Sequence, residues 1–334
     1  MRKVIFLMTA LCLNCGVVKS QVSDAVIATL QHGDSLQTFY GYGAFSDAVS
    51  AANDGDVIRL SAGTFNLADI RKSLTVIGAG FINDSINNIY ATNLYAWGSS
   101  NFWILADNCK FEGLSIQKQT IIDEYGRNIE FVKCRFGSRL LFNDTTENVT
   151  LRQCVVTYDS NPEGYSLNLY SSPHTNLCII GSYILDGSSY RDTGETIYLD
   201  HCILPKPLER SATYTNCIIG GTFEDGITNV VRNCVLFDEE PEITTTGYVN
   251  YYSFDYDDIF EEEMDDLWWD DEKTFKVKAD LDTTDDTEIG MYGGDYPYNP
   301  TPSVPQITDF TLDDSDITNG TLKVSVTAEA QTEN

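Results

Sequence analysis

Across the middle of the chain, apolar and polar positions alternate in short bursts separated by Gly, Asn, Asp and Ser. Runs such as 128–136, 148–156, 196–204 and 229–236 read as strands, since residues two apart along a strand face the same way. The 3.6-residue period of helical repeats is missing, and Leu does not recur at the offsets of leucine-rich repeats. Seven cysteines share one frame: Cys109, Cys134, Cys154, Cys178, Cys202, Cys217 and Cys234. Two residues after each stands Phe111, Phe136, Val156, Ile180, Leu204, Ile219 or Leu236, all apolar. Three before stands Ala106, Phe131, Leu151, Thr175, Leu199, Tyr214 or Val231, and the two positions between are mostly polar, including Asn108, Asn216 and Asn233. An inward-facing strand on each side of a two-residue corner gives this pattern, with Asn tolerating the left-handed backbone a corner needs.

The cysteines are spaced by 25, 20, 24, 24, 15 and 17 residues, as expected of a common coil interrupted by loops of different length. The pattern predicts an all-β right-handed parallel β-helix, its rungs stacked at about 4.8 Å. Stacking would place all seven thiols in one dry interior column as free, buried, small hydrophobes. Side chains that point the same way align poorly for disulfides. Zinc is not indicated, because the only C-x-x-C, Cys12 with Cys15, lies near the N-terminus, and the histidines are just His32, His174 and His201.

Other elements punctuate the ends. Residues 1–20 carry Arg2 and Lys3, an apolar stretch and a small residue before Gln21, the plan of a secretory signal, with lipidation at Cys15 the alternative. Residues 26–30 and 36–40 flank His32-Gly33-Asp34 as a hairpin turn. Ala44, Phe45, Ala48, Val49 and Ala52 form a helical stripe ending before Asn53-Asp54-Gly55, a short helix to cap the first rung. After Pro297, Pro300, Pro302 and Pro305, strand-like runs at 306–312 and 321–327 form a small C-terminal hairpin tail, packed on the coil or offering an edge to a partner. The expected organisation is therefore 1–20 signal peptide, 21–300 β-helix with an acidic aromatic C-terminal segment, and 301–334 Pro-rich linker and hairpin.

The segments "DGDVIRLSAGTFN" (54–66) and "SLTVIGAG" (73–80), following the helix, resemble the entry to pectin-lyase-like β-helices. With "ATLQHGD" (28–34), "EIGMYGGDYPYNPTPSVPQI" (288–307) and "GTLKVSVTAEA" (320–330), the chain is similar over nearly its whole length to exported β-helix proteins of gut Bacteroidetes. The resemblance implies fold and export. Pectin-lyase-like folds often cleave acidic polysaccharides, yet neither W-x-D-H nor R-x-P-x-x-R of calcium-dependent pectate lyases is found, nor the N-T-D, G-H-G and R-I-K set of polygalacturonases.

Charge narrows the partners. The chain carries 50 Asp plus Glu against 21 Lys plus Arg, net −29, and residues 238–288 alone hold 20 acidic against 3 basic residues. Such a surface repels nucleic acid. No apolar stretch beyond the N-terminus reaches the 18 or more residues of a membrane span.

Candidate chemistry is sparse. Lys110, Lys133, Arg135 and Arg152 lie on or beside the corner in three successive frames, where, in register, they form a basic strip able to hold a uronic-acid carboxylate; cross-rung ion pairs with Asp107, Glu112 and Glu130 are the alternative. His201, beside Asp200, is either a base near neutral pH or a corner filler in place of Asn. Asp123-Glu124 as paired glycosidase carboxylates conflicts with the opposite facing of strand neighbours. Trp268 and Trp269, with Tyr248, Tyr251, Tyr252, Phe254, Tyr256, Phe260 and Phe275, either offer a sugar-stacking platform or close the bottom of the coil. Calcium at Asp280, Asp282, Asp285, Asp286 and Glu288 lacks the EF-hand glycine and spacing. Together these residues point to an exported β-helix presenting an extended carbohydrate-binding surface to a polysaccharide or glycan, with no recognisable catalytic set and no cofactor. A polysaccharide lyase or hydrolase acting on an acidic glycan is the second reading, and an adhesion or structural module that binds protein the third.

Overall fold

The computed structural model describes residues 26–83, 90–98, 100–123, 126–143, 146–157, 165–169, 175–188, 197–224, 227–237, 250–252, 255–278, 288–300, 306–313 and 323–329. The chain winds as a parallel β-helix whose rungs contribute strands to three sheets, of eleven, ten and five strands. In a representative rung, Arg127–Val132 lies in the first sheet, Arg135–Phe136 in the second and Leu140–Phe142 in the third. Crossovers between parallel strands of one sheet take the right hand. At the N-terminal end, Ile27–His32 and Ser35–Tyr40 pair antiparallel around Gly33, and the inner of the two pairs antiparallel with Val57–Leu60. The helix Ala44–Ala51 turns Ala44, Phe45, Ala48 and Val49 into the core of this end. The C-terminal hairpin pairs Gln306–Asp313 with Lys323–Glu329.

Each turn has two comparable corners, and this corrects the single column of seven thiols. Lys133, Gln153, Gly181, His201, Asn216 and Asn233 all adopt positive φ at the corner between the first and second sheets, and the residue after each points inward. That inward column runs Leu114, Cys134, Cys154, Ser182, Cys202, Cys217, Cys234 and Asn250, as the registers of the flanking strands dictate. Cys109 instead occupies the corner before the first sheet, level with Leu74 and Ile129. Cys178 lies one residue further on, opposite Thr150 and Tyr198, half exposed on the outer face. Both corners use a left-handed polar residue followed by an inward one, so the same local pattern arises twice per turn. True rung lengths along the column from Leu114 to Asn250 are 20, 20, 28, 20, 15, 17 and 16 residues.

Five thiols remain in the column, all buried and free. Their role exceeds filling space. Backbone N–H groups at this position have no ladder partner of their own, so the next rung's side chain accepts from them: Cys217 Sγ from Cys202 N, Cys234 Sγ from Cys217 N (both 3.4 Å), Ser182 Oγ from Cys154 N (2.9 Å) and Asn250 Oδ1 from Cys234 N (3.1 Å). The same thiols donate to carbonyls, as Cys217 Sγ does to Thr215 O at 3.1 Å. Burial pushes Cys154 up to about 12 and Cys134 and Cys217 well above the ordinary thiol value, so these groups stay protonated.

The other corner carries an exposed ladder. Asn128 Nδ2 donates to Asn108 Oδ1, Asn148 to Asn128 and Asn176 to Asn148, each at 2.9 Å, and all four residues have φ between 54° and 57°. Only short side chains that hydrogen-bond locally hold this backbone readily.

A second apolar core forms outside the coil. Val155, Tyr183, Ile203, Ile218 and Val235 face outward from the second sheet yet are fully buried, because residues 255–278 and 288–298 lie over them. Phe260, Leu267, Phe275, Ile289, Met291 and Tyr298 supply the covering side. The acidic aromatic segment is thus a strap along the side of the coil rather than a plug at its bottom. Tyr183 anchors it: its hydroxyl accepts from Trp269 N (2.9 Å) and donates to Leu267 O (3.1 Å). The "GMYGGDYPYNP" run then crosses the corner between the first and second sheets, Gly290 N donating to Asn216 O (2.8 Å) and Gln153 Nε2 donating to Pro297 O. A Cβ at Gly294, where φ is 72°, would lie 2.7 Å from the His201 ring, so the glycine is needed for contact with the corner.

Candidate functional site

The third sheet gives the molecule its cleft. Its strands Phe102–Ile104, Thr120–Ile122, Leu140–Phe142, Leu167–Leu169 and Gly187–Ser188 follow one another, and none is assigned beyond the last among the described residues. The next turns shorten to 15 and 17 residues, enough for the first two sheets but not a third strand. Where that strand would lie, residues 205–212, 221–224 and 227–229 run outside any strand instead. The resulting step is an open cleft of about 500 Å³, within the roughly 300–1,000 Å³ of ligand sites.

Asp186 and Gly187 form one wall, Tyr165 another, and Lys206, Pro207, Leu208, Glu209, Gly221, Thr222 and Glu224 the rest. Pro207 and Leu208 are buried and form an apolar floor, whereas Glu224 and Lys206 are exposed. Tyr165 is oriented by donating its hydroxyl to Glu209 Oε1 at 2.9 Å. Asp186 Oδ1 accepts Ser166 N at 2.6 Å, and Ser166 Oγ donates to Asp186 O at 2.6 Å, which fixes the rim to the preceding rung. Three carboxylates against one ammonium make the cleft net negative. It therefore offers acceptors to hydroxyl donors and repels anions. The sequence signal for it was the shrinking of the coil from 20 to 15 residues, together with carboxylates in both short connectors.

The residues singled out in the sequence lie elsewhere. Lys110 faces outward on the first sheet, 3.1 Å from Glu112 and 3.9 Å from Glu130; Arg152 reaches Glu130 at 2.8 Å and lies 4.6 Å from the centre of the Tyr296 ring. Arg135 is on the second sheet, where Nη1 contacts both oxygens of Asp271 at 2.9 Å. Lys133 is a buried corner residue with φ 49°. The expected in-register strip is corrected accordingly: Lys110 pairs level with Glu130, not with Arg135, because Cys109 and Cys134 belong to different corners. Trp269 is wedged between Tyr183 and Phe275, its Nε1 donating to Asp271 at 2.8 Å, while Trp268 is 51% exposed.

His201 fills the corner, 4% exposed and 3.0 Å from Asp200, against Gly293 and Gly294. His32 closes the hairpin turn, its Nδ1 2.6 Å from Asp56. Asp123 accepts from Asn143 at 3.2 Å; Glu124, His174, Tyr248, Phe254, the N-terminal segment and Asp280 to Asp286 lie outside the described residues. Among the described residues no group of three or more His, Cys, Asp or Glu is placed to hold a metal ion, and no helix is long and apolar enough to cross a membrane.

These features define a parallel β-helix with a side strap and an acidic lateral cleft. No protein-family model, no curated protein and no solved structure matches the chain.

Proposed function

We propose that the protein is an exported carbohydrate-binding β-helix that holds an uncharged glycan in the cleft where the third sheet ends. The observation that carries this reading is the composition of the cleft: carboxylates that accept hydroxyl hydrogen bonds, one oriented tyrosine and an apolar floor, in a volume suited to a short run of sugar rings. The N-terminal basic, apolar and small-residue sequence supports export. Trp268, 51% exposed on the strap, is a further ring open to sugar stacking. Lys110 and Arg152 on the first sheet and Arg135 on the second are each answered by a carboxylate, which favours a neutral ligand over a uronate at these cations too.

A glycan array carrying neutral and uronate oligosaccharides tests the reading. Saturable binding to neutral chains supports it, and a silent array, or binding confined to uronates, removes it. The hydrolase reading draws on Glu209 and Glu224, which come from successive connectors to one cleft as a carboxylate pair. Release of reducing ends from a bound neutral glycan, lost in Glu224→Gln, would establish it.

A further inference from the structure

The second sheet is covered by the strap over its C-terminal rungs, but its N-terminal rungs carry an exposed aromatic group of different character. Trp97 follows the strand Thr92–Tyr95 and is 79% exposed. It is nevertheless built in. Tyr95 meets the indole edge-on, with centroids 5.8 Å apart and planes at 85°, and Lys118 Nζ lies 4.8 Å from the centre of the Tyr95 ring. The same ammonium donates to Gly98 O at 2.6 Å, tying down the turn just after Trp97. Tyr95 O accepts from Leu67 N (3.0 Å) and from the Tyr42 hydroxyl (3.2 Å). The indole is thus held by its neighbours while most of its surface faces water.

A ring held this open on a fixed support presents an apolar face to a ligand without having to be ordered first. The surroundings restrict what that ligand is. One indole with the Lys118 ammonium bound at the next residue is too small and too polar at its rim for a lipid or an amphipathic helix, which need a continuous apolar surface. Nucleobases stack on such rings, but their phosphates meet a chain of net charge −29. A pyranose has an apolar C–H face and polar edges, matching the indole and its rim together.

We infer that Trp97, supported by Tyr95 and Lys118, is a sugar-stacking subsite for one uncharged pyranose ring, separate from the cleft. The inference rests on the glycan-binding reading for its ligand class and on its own geometry for its place. Full-length protein titrated calorimetrically with cellohexaose, xylohexaose and mannohexaose tests it, using wild type, Trp97→Ala, Trp97→Tyr and the cleft variant Glu209→Gln. Because the indole is exposed, unchanged thermal unfolding of the Trp97 variants verifies the fold. The expected result is binding of at least one hexasaccharide, weakened tenfold or more by Trp97→Ala and largely restored by Trp97→Tyr. Loss in Trp97→Ala with full binding by Glu209→Gln keeps the subsite and removes the cleft. Loss in Glu209→Gln with full binding by Trp97→Ala keeps the cleft and overturns the subsite. Binding of none of the three sugars by the wild type overturns it too.

Discussion

Replacing Cys217 separates two accounts of the interior column. If the thiol were only a small buried hydrophobe, Val would match or improve on it, and Ser would be worst through the loss of apolar burial. The structure gives the opposite order. Cys217 Sγ accepts the N–H of Cys202 at 3.4 Å, and among the described residues no other acceptor meets that N–H, which is fully enclosed. Cys217→Val leaves it unsatisfied, at a cost of about 1–3 kcal/mol. Cys217→Ser keeps both acceptor and donor, as Ser182 does two rungs away, where Oγ accepts Cys154 N at 2.9 Å and donates to Ile180 O at 2.8 Å. The shorter bond offsets the weaker apolar burial, leaving a change within about 1 kcal/mol. Urea unfolding followed by far-ultraviolet circular dichroism measures both variants. A Val variant as stable as wild type, with the Ser variant clearly the weakest, would refute the hydrogen-bonding role.

Further predictions bear on the strap, the corners, the thiols and pH. Phe275 is buried against Trp269 at a φ of 53°, so Phe275→Ala costs about 3–5 kcal/mol, and Phe275→Gly, which relieves the left-handed backbone, about 1 kcal/mol less than Ala; hydrogen exchange over 183–219 reports the undocking. Iodoacetamide at pH 8 labels Cys178 in the native protein while the buried column thiols stay unmodified until denaturant is added, as peptide mass spectrometry can establish. Burial raises Asp56, but the bond from Asn53 N, the His32 contact and the Lys72 charge outweigh it, so the carboxyl sits below its ordinary value. That contribution is present above the unfolded carboxylate range and lost as pH falls through the folded value; Asp56→Ala therefore costs about 2 kcal/mol at pH 7 and progressively less below about pH 4, by thermal unfolding across pH.

Much of the architecture was legible because it rests on local rules. Alternation gave the strands, left-handed Asn gave the corners, and the stripe from Ala44 to Ala52 gave the capping helix. The thiol column was legible only in part, since Asn108-Cys109 and Lys133-Cys134 obey the same corner chemistry at different corners and only strand register tells them apart. Ser182 and Leu114 take their places in the column without resembling cysteine. The strap was legible only as an aromatic segment able to close the coil, because the spacing of Phe260, Leu267 and Phe275 suits packing against the side as well as the bottom, and only the structure shows them against the second sheet. Tyr183, Ile203 and Ile218 show the complementary signal, apolar residues at outward positions of the second sheet. The cleft arises from a missing strand, a feature of rung length that no motif announces.

The proposed binding of a neutral glycan at this step in the coil can be tested directly. Its most direct measurement is the calorimetric affinity of the full chain for the neutral oligosaccharide it binds most tightly on an array, compared with Glu209→Gln and Glu224→Gln. Both substitutions preserve size and leave the column and the strap untouched. At least tenfold weaker binding in each variant, with unchanged thermal unfolding, is expected. Equal affinity in wild type and both variants would contradict it.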